Sequence, residues 1–356
     1  MIPPRIEKIL ELARWAPSGD NTQPWRFEIL DEFRFVIHGS DTRDWCVYDL
    51  DGRASQIAIG ALMENIDIAA SAQGLRAEFT RRSEASITDP MIDVSLVEDS
   101  SVTRDILVDF IKERVTQRRP FSTTPLTDEQ KSVLAQSVGH DYRVTWIEGA
   151  SLRWEMAKLL SRSAKIRLTI PEAYEVHRRI IEWNSRFSED KIPDQAVGLD
   201  KLGLKLMRWA MRSWERVNFL NTFLAGTWIP RLQLDLAPGY FCGAHFVISA
   251  QSELNGIDDY ISGGRALQRF WLTATRCQLQ FQPEMTPLIF TSYVRSKRKF
   301  TERTAASIAA EKVAENLGDL VGQQSIDSSL FMGRLGTGSP PLSRSLRLPL
   351  AGLRIP

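Results

Sequence analysis

ARWAPSGDNTQPWRFEI, residues 13–29, decides how the rest of the chain is read. Upstream of it Ile6, Ile9, Leu10 and Ala13 recur at helical spacing, and Pro17 ends the helix they predict. Downstream, RFEILDEFRFVIHG alternates apolar and polar residues as a strand does. Between the two lies APSGDNTQPW, which concentrates Pro, Gly, Asp and Asn, the residues that favour turns. Pro17 fixes the angle at which the chain leaves the helix, because its ring locks φ. The chain therefore opens as helix, tight loop, strand.

Working outward, residues 54–75 predict a second, more apolar helix. Gly60, Ala61, Ala69 and Ala70 are its small packing positions, and Gly74 closes it. MIDVSLV, from Met91 to Val97, is the best strand candidate after it. Past about residue 103 the pattern restarts with a helix through Ile106, Phe110 and Ile111. Thr127 and Gln130 have the spacing of a capping box at the start of the next helix. A later helix, GGRALQRFWLTATRCQLQ, echoes IGALMENIDIAASAQGL. Each has a glycine leading into Ala-Leu, and Ala274 answers Ala69 or Ala70. These echoes predict an internal duplication, with halves at residues 1–103 and 104–356.

The second half is longer by an insertion of roughly residues 170–236, which carries Trp183, Trp209, Trp214 and Trp228. Within it Leu204, Met207, Met211, Trp214 and Phe219 form an apolar stripe, beside a basic one of Lys205, Arg208, Arg212 and Arg216. Such a helix over 202–224 either lies on a membrane or packs its apolar face on its own core; the second reading is the ordinary one. Residues 293–327 read as a solvated helix, and the tail GSPPLSRSLRLPLAGLRIP as irregular.

Composition narrows the class. Hydrophobic residues at 43% and charged residues at 25% are the balance of a soluble globular chain. A net charge of +1 gives no global reason to expect nucleic acid or an anionic surface as partner. Cys46, Cys242 and Cys277 have neither metal-ligand spacing nor an even count, so a reducing cytoplasm is the default. The charged N-terminus is unlike a signal peptide, and no apolar run is long enough to span a bilayer.

Hydrolytic, metal and dinucleotide signatures are missing. There is no HExxH or Walker lysine loop. GRLGTG at 333–338 runs into Ser-Pro-Pro where a helix should begin, and Ser18 lacks the GxSxG elbow. Three segments remain as candidates for binding. The loop offers backbone amides and the Ser18 and Asn21 side chains to the polar edge of a flat ring. RVTQRRPF carries Arg114 and Arg118 on either side of Thr116, a set suited to a dianionic phosphate. SRSLRLPL carries Arg347 and Arg344 as candidates in the tail; a disordered basic tail is the competing reading.

These segments together resemble the FMN-dependent nitroreductase family. Ala16, Pro17, Ser18, Asn21, Gln23, Pro24 and Trp25 match its APSxxNxQPW loop, Arg114-Thr116-Arg118 its R-x-S-x-R opening, and Arg347 its closing basic residue. The resemblance spans most of the chain and is nearest the twin-domain, Acg-like branch. It implies an α+β fold of two fused halves, each with a mixed, mostly antiparallel sheet flanked by helices, related by a pseudo-two-fold axis. The proline-serine loop occurs only in the first half and the arginine motifs only in the second. The resemblance then implies one composite FMN site built from Pro17, Ser18, Asn21, Arg114, Thr116, Arg118 and Arg347. It implies NAD(P)H as electron donor and a small conjugated, nitroaromatic or quinone-like acceptor, in a monomer or homodimer. Thr116 departs from the family's Ser. The insertion departs more, because as a fixed lid it would make the chain a non-catalytic, FMN-sequestering protein.

Overall fold

The computed structural model describes residues 2–223 and 226–355. Its first part runs α1 (Pro4–Ala13), β1 (Trp25–Ile29), β2 (Arg34–Gly39), α2 (Arg53–Ser71), β3 (Leu75–Arg81) and β4 (Met91–Glu98). Pro4 sits in the first turn of α1, where its missing N–H costs nothing, and Ile6, Ile9, Leu10 and Ala13 are buried. The predicted helix through Ile106 and Phe110 is only a 3-10 turn, Ile106–Phe110, entered through the Asp105 side chain. Next come α3 (Asp128–Ser137), β5 (Tyr142–Ile147), α4 (Ala150–Thr169) and α5 (Pro171–Ile180). The Thr127–Gln130 capping box opens α3 as expected.

The insertion contributes three two-residue strands, β6 (Ile181–Glu182), β7 (Phe187–Ser188) and β8 (Ile192–Pro193). Its helices are α6 (Lys201–Ala210), α7 (Trp214–Phe223), α8 (Trp228–Arg231) and α9 (Ala237–Tyr240), the last two joined by a π-turn at Leu232–Leu236. The single helix expected over 202–224 is thus broken between α6 and α7, and Leu224 lies outside the described residues. The chain finishes with β9 (Ala244–Ala250), α10 (Ile257–Arg276), β10 (Gln280–Pro283), α11 (Thr286–Arg295), α12 (Thr304–Val321), α13 (Gln323–Ile326), β11 (Ser329–Gly336) and β12 (Arg344–Ser345).

The architecture is α+β, with two four-stranded antiparallel sheets. Their orders are β1-β2-β4-β3 and β5-β9-β11-β10, the same topology strand for strand. In each sheet the long helix, α2 or α10, joins the second strand to the third. The short β1–β2 turn of residues 30–33 is replaced in the second sheet by residues 148–243, so the extra segment is larger than the sequence suggested.

The two long helices cross where both are stripped to glycine. A Cβ on Gly60 would stand 1.9 Å from the Ile261 carbonyl oxygen, and one on Gly264 would stand 2.1 Å from that of Ile57. The contact is reciprocal, since Ile57-x-x-Gly60 meets Ile261-x-x-Gly264. Beside it Gln268 Nε2 donates to Asn65 Oδ1 at 2.7 Å, and Arg265 and Arg269 both reach the buried Glu64.

Core packing ties the chain's ends together. Leu350 and Leu353 of the tail enter the core of the first sheet with α1 and α2, and Ile355 N donates to Phe27 O. The tail is irregular, as expected, yet fixed. Residues 293–327 are not one solvated helix: α12 buries Ala306, Ala310, Val313 and Leu317 among α4, α5 and α11. Small alanines hid that face, because they contribute little hydrophobic contrast. GRLGTG begins as the last four residues of β11, and no helix follows it. Among the described residues no helix is long and apolar enough to cross a membrane.

Candidate functional site

The loop between α1 and β1 is strained in a way that needs a reason. Asp20, Asn21 and Gln23 all have positive φ, at 52°, 64° and 49°. Left-handed backbone at non-glycine residues costs on the order of 1–3 kcal/mol each and is held only where the surroundings over-determine it. The surroundings do so here. Ser18 Oγ accepts from Gln23 N at 3.0 Å, and the Gln23 side chain donates to Glu189 O at 2.9 Å. Gln23 Oε1 accepts from Leu348 N at 2.9 Å, and Asn21 Nδ2 donates to Glu189 O at 3.1 Å. The loop is therefore clamped between the insertion and the tail. Asn21 Oδ1, in a residue only 5% exposed, is left without a partner.

The second segment is extended. Thr116 bridges Phe281 in parallel, and Gln117 N donates to Phe281 O at 3.0 Å, which covers the edge of β10. Alternation then places Arg114, Thr116 and Arg118 on one side. Arg114 is 3% exposed. Its Nη2 donates to Trp15 O at 3.0 Å, its guanidinium lies 4.5 Å from the Trp271 ring centroid, and its Nε has no partner.

Two tail arginines join it. Arg347 is 7% exposed and donates from Nε to Ala16 O at 2.9 Å. Arg344 donates to Lys112 O and Arg114 O, both at 3.0 Å, and its Nε is unpartnered. Among the described residues no carboxylate pairs with any of the three. Burial holds Arg114 well below the ordinary guanidinium value, and the charges of Arg347 and Arg344 depress it further. Arg347 is pushed down to about 9 by burial, then by Arg344 and Arg14. Two buried guanidiniums, Arg114 and Arg347, and the half-buried Arg344 thus stand together without a carboxylate partner among the described residues, with Arg114 Nε and Arg344 Nε orphaned, an arrangement chemically suited to an anion.

Arg118 lies apart from that cluster. Its Nη1 donates to Ala196 O at 3.2 Å, and the charge that bears on it is Asp20. Burial raises Asp20 to about 6; Arg118 opposes the rise and Asp49 adds to it.

All the residues singled out from sequence line one cavity of about 830 Å3: Pro17, Ser18 and Asn21 from the loop, Arg114, Thr116 and Arg118, and Arg347. Arg344, the alternative to Arg347, lines it as well. The volume falls within the roughly 300–1,000 Å3 of cofactor clefts.

A further part of the wall was not legible in the sequence. There Tyr48 and His177 bond through Oη and Nε2 at 3.0 Å, and Arg167 holds Asp235 with both oxygens at 2.9–3.0 Å. Burial, then the Arg167 charge, pushes His177 down to about 3, so it is neutral. Met207 and Met211 of α6 and its C-terminal turn complete this wall. Behind it His245 is fully buried, with Nδ1 2.7 Å from Glu284 and Nε2 2.7 Å from Gly239 O. A carbonyl only accepts, so Nε2 carries a proton. Burial disfavours the imidazolium, but Glu284 and Cys242 outweigh it and hold the ring at about 10. No single spacing announces these pairs, because their partners lie 39 to 129 residues apart.

No protein-family model matches the chain. It is 26% identical over 197 residues to a protein of Mycobacterium tuberculosis provisionally named NAD(P)H nitroreductase Acg, in strains H37Rv and CDC 1551 alike. That match covers 54% of this chain and 58% of the relative. It is also 25% identical over 310 residues to an uncharacterized protein of strain CDC 1551, covering 83% of this chain and 40% of that one. The chain spans about half the length of the curated relatives it matches. The similarity is thus distant, and the relative with an activity in its name is provisionally named a nitroreductase.

Proposed function

We propose that the cavity binds FMN and that the chain is an NAD(P)H-driven oxidoreductase acting on a small conjugated, nitroaromatic or quinone-like acceptor. One observation carries the reading. Residues from three distant segments line one cavity, where the buried guanidiniums of Arg114 and Arg347 and the half-buried one of Arg344 have no carboxylate partner among the described residues. The orphaned Arg114 Nε, Arg344 Nε and Asn21 Oδ1 fit a ligand with a dianionic phosphate and polar groups along its length.

Bound there, FMN supplies hydride-level redox chemistry that no side chain here provides. Arg114, Arg344 and Arg347 hold its phosphate. Thr116, Arg118, Ser18 and Asn21 orient the remaining polar atoms, and Pro17 with its strained loop sets their position. The distant nitroreductase relative agrees with this reading, at the level of reaction class.

The same proposal takes the chain as two nitroreductase-like halves, residues 1–103 and 104–356, forming a pseudo-two-fold dimer within one polypeptide. Identical sheet order and the reciprocal Gly60–Gly264 crossing support it. A second reading, a flavin-sequestering protein, is favoured by one feature: Asn21 and Gln23 fasten the loop to the insertion at Glu189 and Lys191.

Absorbance of the purified chain, followed by anaerobic NADPH and then NADH, tests both. Flavin bands that bleach on addition support the reductase. Bands that persist under both nucleotides favour sequestration. No bands, even after FMN is added back, would sink the proposal.

A further inference from the structure

The insertion has two apolar faces, and only one of them is used by the cavity. On α6, Met207 points inward to the cavity wall, as Met211 does just past the helix end. About half a turn round the same helix, Leu202, Leu206 and Trp209 stand at i, i+4 and i+7 with 76%, 43% and 42% exposure. Exposed apolar residues recur on α7, where the tilted rings of Phe219 and Phe223 lie 5.2 Å apart, and on α8 with Trp228 and Ile229.

Charge accompanies it. Between Lys201 and Phe223 the chain carries Lys201, Lys205, Arg208, Arg212 and Arg216 against the single carboxylate Glu215, in a protein whose net charge is +1. Lys201, Lys205, Arg208 and Arg212 are exposed. None of the five belongs to an ion pair among the described residues, whereas arginines elsewhere on the surface find carboxylates, as in Arg81–Asp258, Arg82–Asp93 and Arg104–Asp109. The basic row of Lys205, Arg208 and Arg212 flanks the apolar row of Leu202, Leu206 and Trp209.

We propose that this face of α6 to α8 docks the chain on an anionic lipid bilayer. Exposed aromatic and aliphatic residues beside unpaired cations form the two-part contact that interfacial helices make: apolar groups enter the headgroup boundary while Lys and Arg meet anionic lipids. A second copy of the chain is the poorer occupant, because a two-fold contact would oppose the same cations. Docking would set the membrane against the outer side of the elements that wall the cavity. This proposal is independent of what the cavity binds.

The test is co-sedimentation of the full chain with vesicles of phosphatidylcholine alone and of phosphatidylcholine with phosphatidylglycerol, at low and high salt. The expected result is binding to the anionic vesicles only, weakened by salt. Lys205→Gln with Arg212→Gln should lower the partition coefficient roughly thirtyfold, at about fivefold per cation removed. Leu206→Ser with Phe223→Ser should lower it separately, and thermal unfolding would check that each variant folds. Failure to bind the anionic vesicles overturns the proposal, as does binding that both variants leave unchanged. A concentration-dependent dimer, lost in the apolar variant and formed without vesicle binding, would assign the face to a second copy and also overturn it.

Discussion

Replacing Arg347 by methionine separates a ligand-binding arginine from a structural one, because the two roles predict opposite effects on the ligand-free protein. A guanidinium pushed down to about 9 by burial, Arg344 and Arg14 carries on the order of 5 kcal/mol of unfavourable desolvation and repulsion. Against this stand its hydrogen bonds to Ala16 O and Leu346 O, worth roughly 1–3 kcal/mol each as charged donors. Methionine keeps the volume and removes both terms, so the ligand-free variant should unfold at the same temperature as the parent or higher. In the complex the balance reverses. Loss of a charged hydrogen bond to the phosphate costs about 1.5–3 kcal/mol, a Kd raised roughly 10- to 150-fold. Arg114→Met should show the same pair of effects. The double variant should lose less than the sum, since both groups share one anion.

The assay is flavin removal, calorimetry of the ligand-free proteins, and FMN titration by fluorescence quenching. A variant whose ligand-free form is destabilised by several kcal/mol while its Kd stays within twofold of the parent would refute the reasoning. Arg347 would then be a tail anchor only.

Two further outcomes follow from the same geometry. Asp20 binds a proton more tightly folded than unfolded, so its contribution to stability is fully present below its ordinary carboxyl range and is lost as pH rises through about 6. Asp20→Asn should accordingly flatten the urea-unfolding free energy of the ligand-free protein between about pH 4 and 6 relative to the parent; parallel curves would remove Asp20 as a titrating group. Gly60→Ala puts a Cβ 1.9 Å from the Ile261 carbonyl and should cost about 1–3 kcal/mol or more in the same assay, despite alanine's better helix propensity. Gly264→Ala should match it, and a neutral result at either position would show that the helices part easily.

What the sequence makes legible is whatever is encoded locally. Thr127 and Gln130 are three residues apart, and the capping box they announce is there. The loop from Pro17 to Trp25 is legible because its two prolines, Gly, Asn and Trp are each restrictive. Residues that line the cavity from an extended segment, Arg114, Thr116 and Arg118, also keep a visible spacing. What depends on a partner far along the chain is hidden. α12 reads as solvated because alanines at 306 and 310 look neutral until α4 and α11 cover them. Tyr48–His177 and Glu284–His245 become pairs only when the fold closes. The break between α6 and α7 has no proline or glycine at the junction; Ser213 stands just before α7, and its Oγ accepts from Arg216 N at 3.4 Å.

The sheets' shared topology also bears on why one cavity of this kind is the reading, and not two. In the first half the connection from helix to first strand, residues 14–24, is long enough to form the strained loop that faces the arginines. Its counterpart in the second half, residues 138–141 between α3 and β5, is a short turn. Four residues cannot both end a helix and reach back over a neighbouring cavity, so a second loop has no chain from which to be built. In the opposite sense, the position of the β1–β2 turn, residues 30–33, is taken in the second sheet by residues 148–243, the segment that supplies α4 to α9 and many of the cavity's lining residues. Each half therefore lacks what the other has in excess. The proposed composite site, assembled from the loop before β1 and the arginines of the later segments, is the arrangement that these connection lengths permit.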